Sequence, residues 1–132
     1  MLDTTTCIFT IENRPQKVRD ALRRDAGPLR ISSVTLMELI YGADKSAIPE
    51  RNLSVVEGFA VRLDVLDYGQ TAAKDTGQFR AELARSGFPI GPFEQLIAGH
   101  ARSRGLILVT NNRRVFEHTP GLRIEDWATQ VP

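Results

Sequence analysis

The sequence predicts an α/β fold built on a mainly parallel sheet. Short apolar runs alternate with longer stretches of helical periodicity along all 132 residues, the pattern of strands separated by crossover helices. One of these runs, Leu106-Ile107-Leu108-Val109, is made of branched apolar residues in a row, which suits a strand covered on both faces. No repeat, low-complexity tract or linker divides the chain, so residues 1–132 are expected to form a single compact domain.

The elements follow in order. Residues 1–5 read as a very short strand ending in Asp3-Thr4, and residues 5–11 as a turn or two of helix. Asn13-Arg14-Pro15 marks a break, residues 16–26 a helix with Val18, Leu22 and Ala26 inward, and Gly27-Pro28 its end. A second strand covers 29–31, after which Ser32 or Ser33 can cap a helix over 34–45 that carries Leu36, Met37, Leu39 and Ile40. Pro49 opens a helix running to about residue 63, with Leu53, Val56, Phe59 and Ala60 on its face. Val65 and Leu66 indicate a third strand, and residues 69–86 a long amphipathic helix with Ala72, Phe79 and Leu83 inward. After a loop at 87–91, Pro92 suits the first turn of a helix whose apolar face is Leu96, Ile97 and Ala101, backed by Leu106. The strand over 106–109 comes next. Thr110-Asn111-Asn112 ends it and starts a short helical turn, residues 122–124 form a last edge strand, and Trp127 folds back as a lid.

Bulk properties narrow the function classes. Seventeen basic and 16 acidic residues give a formal charge of +1, so any RNA site must be a local patch; Arg23-Arg24, Arg102 with Arg104, and Arg113-Arg114 are the candidates. A single cysteine, Cys7, excludes an internal disulfide and fits a reducing cytoplasm. No apolar run approaches the roughly 18 residues of a membrane span, and the N-terminus lacks the basic-then-apolar pattern of a signal peptide. The glycine-rich Walker phosphate loop is absent, which disfavours nucleotide triphosphate binding. His100 lies within an apolar helical stretch and reads as a packing residue, and spacing supports no Ser-His-acid or Cys-His arrangement.

Acidic residues fall where an α/β sheet builds its sites, beyond the carboxyl ends of strands. Asp3 ends the first strand, Glu38 lies one to two turns into the helix after the second, and Asn111 and Asn112 follow the 106–109 strand. Glu94 opens the helix before that strand and can face the same crevice, although a carboxylate in a first helical turn also serves simply as a partner of the helix dipole. Carboxylates gathered in this way raise one another's pKa unless something neutralises them. A hard divalent cation does so: Mg²⁺ binds carboxylate oxygen at about 2.0–2.1 Å while keeping several waters. A carboxylate-held Mg²⁺ can activate a water and stabilise charge on a phosphoryl oxygen, which points to phosphodiester hydrolysis.

The strings MLDTTTCIFTIENRP, ISSVTLMELIYGADKS, PERNLSVVEGFAVRL, PIGPFEQLIAGHARSRGLILVTNN and PGLRIEDW resemble, in order and with the expected spacing, the PIN-domain toxins of type II toxin–antitoxin modules. The likeness is to the VapC family and covers essentially the whole chain, nearest to the branch described as endonucleases for initiator tRNA. It implies a PIN-like three-layer α/β/α sandwich with a central mainly parallel sheet, and a Mg²⁺-dependent ribonuclease (Mn²⁺ being a substitute) cutting initiator tRNA in the anticodon loop. The family's acids carry over as Asp3 in the LDT motif, Glu38 in the S-x-x-T-x-x-E-L pattern and Glu94 in the P-[YF]-D-Q-x-I-A motif, with Asn112 at the fourth position. Asp3, Glu94 and Glu38 would hold the metal; Asn112 could hold a water without adding charge, and Thr110 could donate a hydroxyl to the same network. A cognate VapB-type antitoxin and a homodimer are implied as partners, with no membrane role, in the cytoplasm; the helices over 34–45 and 49–63 are candidate interface elements.

Three positions depart from the family pattern. Thr5 stands where Asn is usual, which removes a hydrogen bond that could orient Asp3, and Val115 replaces a frequent acidic residue at the periphery. Glu94 stands in place of aspartate. Its extra carbon–carbon bond adds roughly 1.5 Å of reach, against a site tolerance of about 0.5 Å. The backbone must retreat, the side chain must fold, or a second metal must shift. Thr5 and Glu94 favour the alternative reading, a catalytically weakened PIN-fold module that acts mainly as an antitoxin- and RNA-binding partner. A third reading is a plain α/β domain whose acids pair with arginines.

Overall fold

The computed structural model describes residues 1–12, 29–87 and 89–126. The expected helix over 16–26 with its flanking breaks, the Arg23-Arg24 pair and the Trp127 lid lie outside the described residues.

Helix α1 (Thr4–Ile11) starts where it does because Asp3, in extended conformation, accepts the Thr6 N–H at 2.8 Å and caps the first turn. Strand β1 (Arg30–Ser32) runs directly into α2 (Ser33–Asp44), and Ser32 is the serine that caps it, its hydroxyl accepting from Val34 N–H at 3.1 Å. Pro49 occupies the first turn of α3 (Pro49–Ala60), which is followed by β2 (Asp64–Leu66) and the long α4 (Gln70–Ser86). Gly87, at φ 71°, closes α4 in the left-handed conformation that glycine adopts without steric cost. Helix α5 (Pro92–Ser103), strand β3 (Leu108–Val109), the short α6 (Arg113–Phe116) and β4 (Ile124–Glu125) complete the described chain.

Three further element limits differ from those the sequence predicts, each for a hydrogen-bonding reason. Helix α3 stops at Ala60 because Arg62 and Leu63 donate to Phe59 and Ala60 carbonyls, three residues back, in a tighter turn. Leu106 lies in the turn that closes α5 rather than in the strand, since its N–H bonds Ala101 O at 3.0 Å. Leu122 N–H likewise bonds Thr119 O, so the last strand begins at Ile124 instead of 122.

Strands β1 and β2 pair in parallel with Ile31 opposite Val65, and β3 and β4 pair in parallel with Val109 opposite Glu125. The N-terminal residues stitch the two pairs together. Leu2 bridges Val109 in parallel, Leu2 N–H donates to Arg30 O at 2.8 Å, and Val109 N–H donates to Met1 O at 2.8 Å. The lateral order is therefore β2, β1, residues 1–3, β3, β4. The expected first strand exists as this single central bridge.

Alternation along the strands separates two cores. Met1 and Leu108 join Phe79, Leu83, Ile97, Ala98, Ala101 and Phe116 of α4, α5 and α6. Their neighbours Leu2 and Val109, with Ile31, join Cys7, Leu39, Ala43 and Val56 of α1, α2 and α3. Successive strand residues face opposite ways, so the sheet is the middle layer of an α/β/α sandwich. Helices α4 and α5 pack so closely that a Cβ on Gly99 would lie 2.0 Å from Thr76 Oγ1. His100 is buried in the same layer, with Nδ1 2.8 Å from Ser32 Oγ and the Tyr68 ring edge-on at 5.4 Å; burial lowers its pKa and keeps it neutral. The packing reading of His100 holds at Nδ1, while Nε2 is buried without a partner.

Candidate active site

Each acid is positioned by a different element. Asp3 follows the central bridge at the carboxyl end of the sheet and is only 4% exposed. Its N–H donates to Val109 O at 3.0 Å, tying it to β3, while its carboxylate caps α1. The turn-and-cap reading of Asp3 and the site reading are thus compatible, because the cap fixes the carboxylate. Glu38 sits in the second turn of α2, half-buried, and its Oε1 accepts a 2.6 Å hydrogen bond from Thr4 Oγ1. That hydroxyl lies 3.3 Å from Thr35 Oγ1, so Thr4 links α1 to α2. Glu94 occupies the first turn of α5. Its side chain folds back over Gly91: Oε1 is 3.0 Å from where a Cβ on that residue would stand. This close approach is what a folded side chain, one of the three ways to accommodate a longer acid, would give. Its other oxygen, Oε2, is buried with no hydrogen-bond partner.

Electrostatics report the convergence. Burial pushes the Glu94 carboxyl above the usual range, and the negative charges of Asp3 and Glu38 push it further. Burial raises Asp3 as well; hydrogen bonds from Thr110 and Thr6 oppose this, and the charge of Asp126 adds to it. Three carboxylates from the N-terminus, α2 and α5 therefore share one field. Among the described residues none of the three has an arginine or lysine partner: Arg102 bonds Asp75, lies 3.7 Å from Glu82, donates to Pro120 O at 3.0 Å and covers the Phe79 ring. Arg102 is thus a structural tie rather than part of an RNA patch, while Arg104, Arg113 and Arg114 are exposed.

Asn112 is exposed and caps no N–H of α6 with its side chain. Its backbone N–H donates to Thr110 Oγ1 at 2.8 Å, and the buried Thr110 hydroxyl bonds Asp3. Thr110 accordingly acts on Asp3, and Asn112 reaches that acid through it. Asp126, absent from the acids picked out by sequence, acts on Asp3 from the end of β4. Only the pairing of β4 with β3 reveals it, and the sequence offers no signal for that register.

Among the described residues no three His, Cys, Asp or Glu side chains form a ready-made metal cage. The donor set nonetheless fits a hard divalent cation. Mg²⁺ takes one or two carboxylates and completes its shell with water; the buried, unpartnered Glu94 Oε2 and the raised Asp3 carboxyl are oxygens that a cation would satisfy.

Comparison with known proteins agrees with this architecture. The PIN domain family profile matches residues 1–122. A tRNA(fMet)-specific endonuclease VapC from Shigella flexneri is 66% identical over 97% of both chains. The structure of a DNA-bound VapBC from Salmonella typhimurium contains a chain 64% identical to this one, with a TM-score of 0.92 and 96% of each chain covered. VapBC2 from Rickettsia felis superposes with a TM-score of 0.90 at 36% identity, covering 96% of this chain and 97% of that one. The chain belongs to the PIN-domain family and, within it, to the VapC proteins.

Proposed function

We propose that this chain is a Mg²⁺-dependent endoribonuclease, the toxin of a toxin–antitoxin pair, hydrolysing initiator tRNA in its anticodon loop. The observation that carries the reading is the shared field of Asp3, Glu38 and Glu94, brought from three elements to one end of the sheet. Asp3 and Glu94 would hold the cation directly, with Glu38 beside them. When bound, the cation supplies stabilisation of charge on a phosphoryl oxygen and lowers the pKa of a water. The chain's own residues do the rest. Thr6 N–H and the Thr110 hydroxyl orient the Asp3 carboxylate, Thr4 orients Glu38, and Asn112 fixes Thr110 through its N–H. Exposed Arg104, Arg113 and Arg114 offer cations to the RNA backbone, with the salt dependence that phosphate contacts bring. An anticodon loop suits such a site because its unpaired bases and backbone are accessible.

The substrate follows the relatives named as tRNA(fMet)-specific endonucleases, and a VapB-type antitoxin follows the VapBC complexes. Met37, Ile40 and Tyr41 of α2, with Ile48, Val55 and Val61 in and beside α3, are exposed, which supports a covered face for the antitoxin or for the second copy in a homodimer. No helix among the described residues is long and apolar enough to cross a membrane, and a tRNA substrate supports a cytoplasmic location. The test is cleavage of total tRNA with Mg²⁺ or with EDTA. Cuts confined to initiator tRNA, lost with EDTA and in Asp3→Asn, support the enzyme; a folded wild-type chain that binds tRNA without cutting it supports the weakened module instead.

A further inference from the structure

The strand register carries one residue further into the site. Val109 pairs with Leu2 on one side and with Glu125 on the other, both in parallel. Thr110 N–H continues the ladder by donating to Glu125 O at 2.9 Å. The next row across the three chains is therefore Asp3, Thr110 and Asp126, all just past the carboxyl ends of their strands. Residues in one row of a parallel sheet face the same way, while their neighbours along the chain face the opposite way. Asp126 is half-buried, two strand spacings from Asp3, or about 9.5 Å. Thr110, fully buried, holds the middle position of the row.

We infer that Asp126 is a positioning residue of the active site, supplying the additional negative charge that Asn112 does not. This rests on the reading of Asp3 and Glu94 as cation ligands. Asp126 acts through the field at Asp3 and through the row it shares with Thr110, so it strengthens attraction for a divalent cation without having to touch it. An interaction across about 9.5 Å is screened by salt, since the Debye length is about 10 Å at 0.1 M and about 30 Å at 0.01 M.

The experiment is calorimetric titration of Mg²⁺ into the full chain without RNA, at low and high salt, with thermal melting of every variant. Asp126→Asn is expected to weaken Mg²⁺ binding about tenfold at low ionic strength, less at high salt, with Asp126→Ser behaving alike and Asp126→Glu restoring affinity. Glu125→Gln, on the opposite face, leaves affinity unchanged, and Asp3→Asn abolishes binding. Wild-type affinity in both neutral Asp126 variants, alongside loss of binding in Asp3→Asn, overturns the role of Asp126 and leaves the site standing. Full binding in Asp3→Asn overturns the site itself, and the role of Asp126 with it.

Discussion

Replacing Gly91 with alanine separates the positioning of Glu94 from the stability of the fold. Gly91 is the N-cap of α5 at φ −59° and ψ 151°, a conformation open to any residue, so alanine introduces no backbone strain. The added methyl would stand 3.0 Å from Glu94 Oε1 and 3.5 Å from its Cδ, where ordinary contact begins at 3.4 Å, so the carboxylate must give way by about 0.4 Å. Misplacement by about 1 Å costs up to ~100-fold in rate. On a logarithmic scale, a shift of about 0.4 Å then costs roughly sixfold, or ~1 kcal/mol of barrier. Stability should hardly change. Alanine is a poorer N-cap than glycine by several tenths of a kcal/mol, and restricting the unfolded chain returns about 0.4–1 kcal/mol. The expected result is a melting temperature within about 2 °C of the parent and a roughly sixfold slower tRNA cleavage at saturating Mg²⁺. Glu94→Asp in the Gly91→Ala background, whose shorter side chain clears the methyl, should cleave faster than Gly91→Ala alone. Cleavage by Gly91→Ala at the parent rate would refute the reasoning, as would a loss of activity that tracks a loss of folding.

Asp3 and Glu94 have folded-state pKa values above their ordinary 3.8 and 4.5, so the folded protein binds more protons than the unfolded one between the two sets of values. Their contribution favours folding at low pH and declines as pH rises through that window. Asp3→Asn keeps a capping oxygen but removes the charge; in EDTA it should melt above the parent at pH 7, with the difference vanishing near pH 4, and a lower melting temperature at pH 7 would contradict the burial argument. Thr4→Val deletes the 2.6 Å hydrogen bond to Glu38 and should cost about 1–2 kcal/mol in denaturant titration while slowing cleavage, with Thr4→Ser close to the parent. Gly99→Ala forces a methyl to 2.0 Å from Thr76 Oγ1 and 2.8 Å from the Thr76 Cα, which must separate α4 from α5; a loss of about 2–3 kcal/mol in the same titration is expected, and a neutral result would show that the two helices pack less tightly.

Much of this was legible in the chain itself. Apolar periodicity identified α2, α4 and α5, and the residues it turned inward on α4, Ala72, Phe79 and Leu83, are buried. Local chemistry marked the starts: Ser32 caps α2, and prolines open α3 and α5. Strand limits were harder to read, because a strand ends where its N–H groups lose their neighbours across the sheet, and those neighbours are distant in sequence. Leu106 looks like strand and bonds to the end of α5 instead.

The same division applies to the site. Residue type and position within an element are local properties, so the sequence alone singled out Asp3, Glu38 and Glu94, and its ordered motifs carried the family likeness. What each carboxylate meets is not local. The folding of Glu94 over Gly91, the hold of Thr4 on Glu38, the reach of the Thr110 hydroxyl to Asp3 and the pull of Asp126 all depend on which strand lies beside which and in what register. Tertiary structure decides these because electrostatic and hydrogen-bonding energies depend on distance in space, and separation along the chain does not determine that distance.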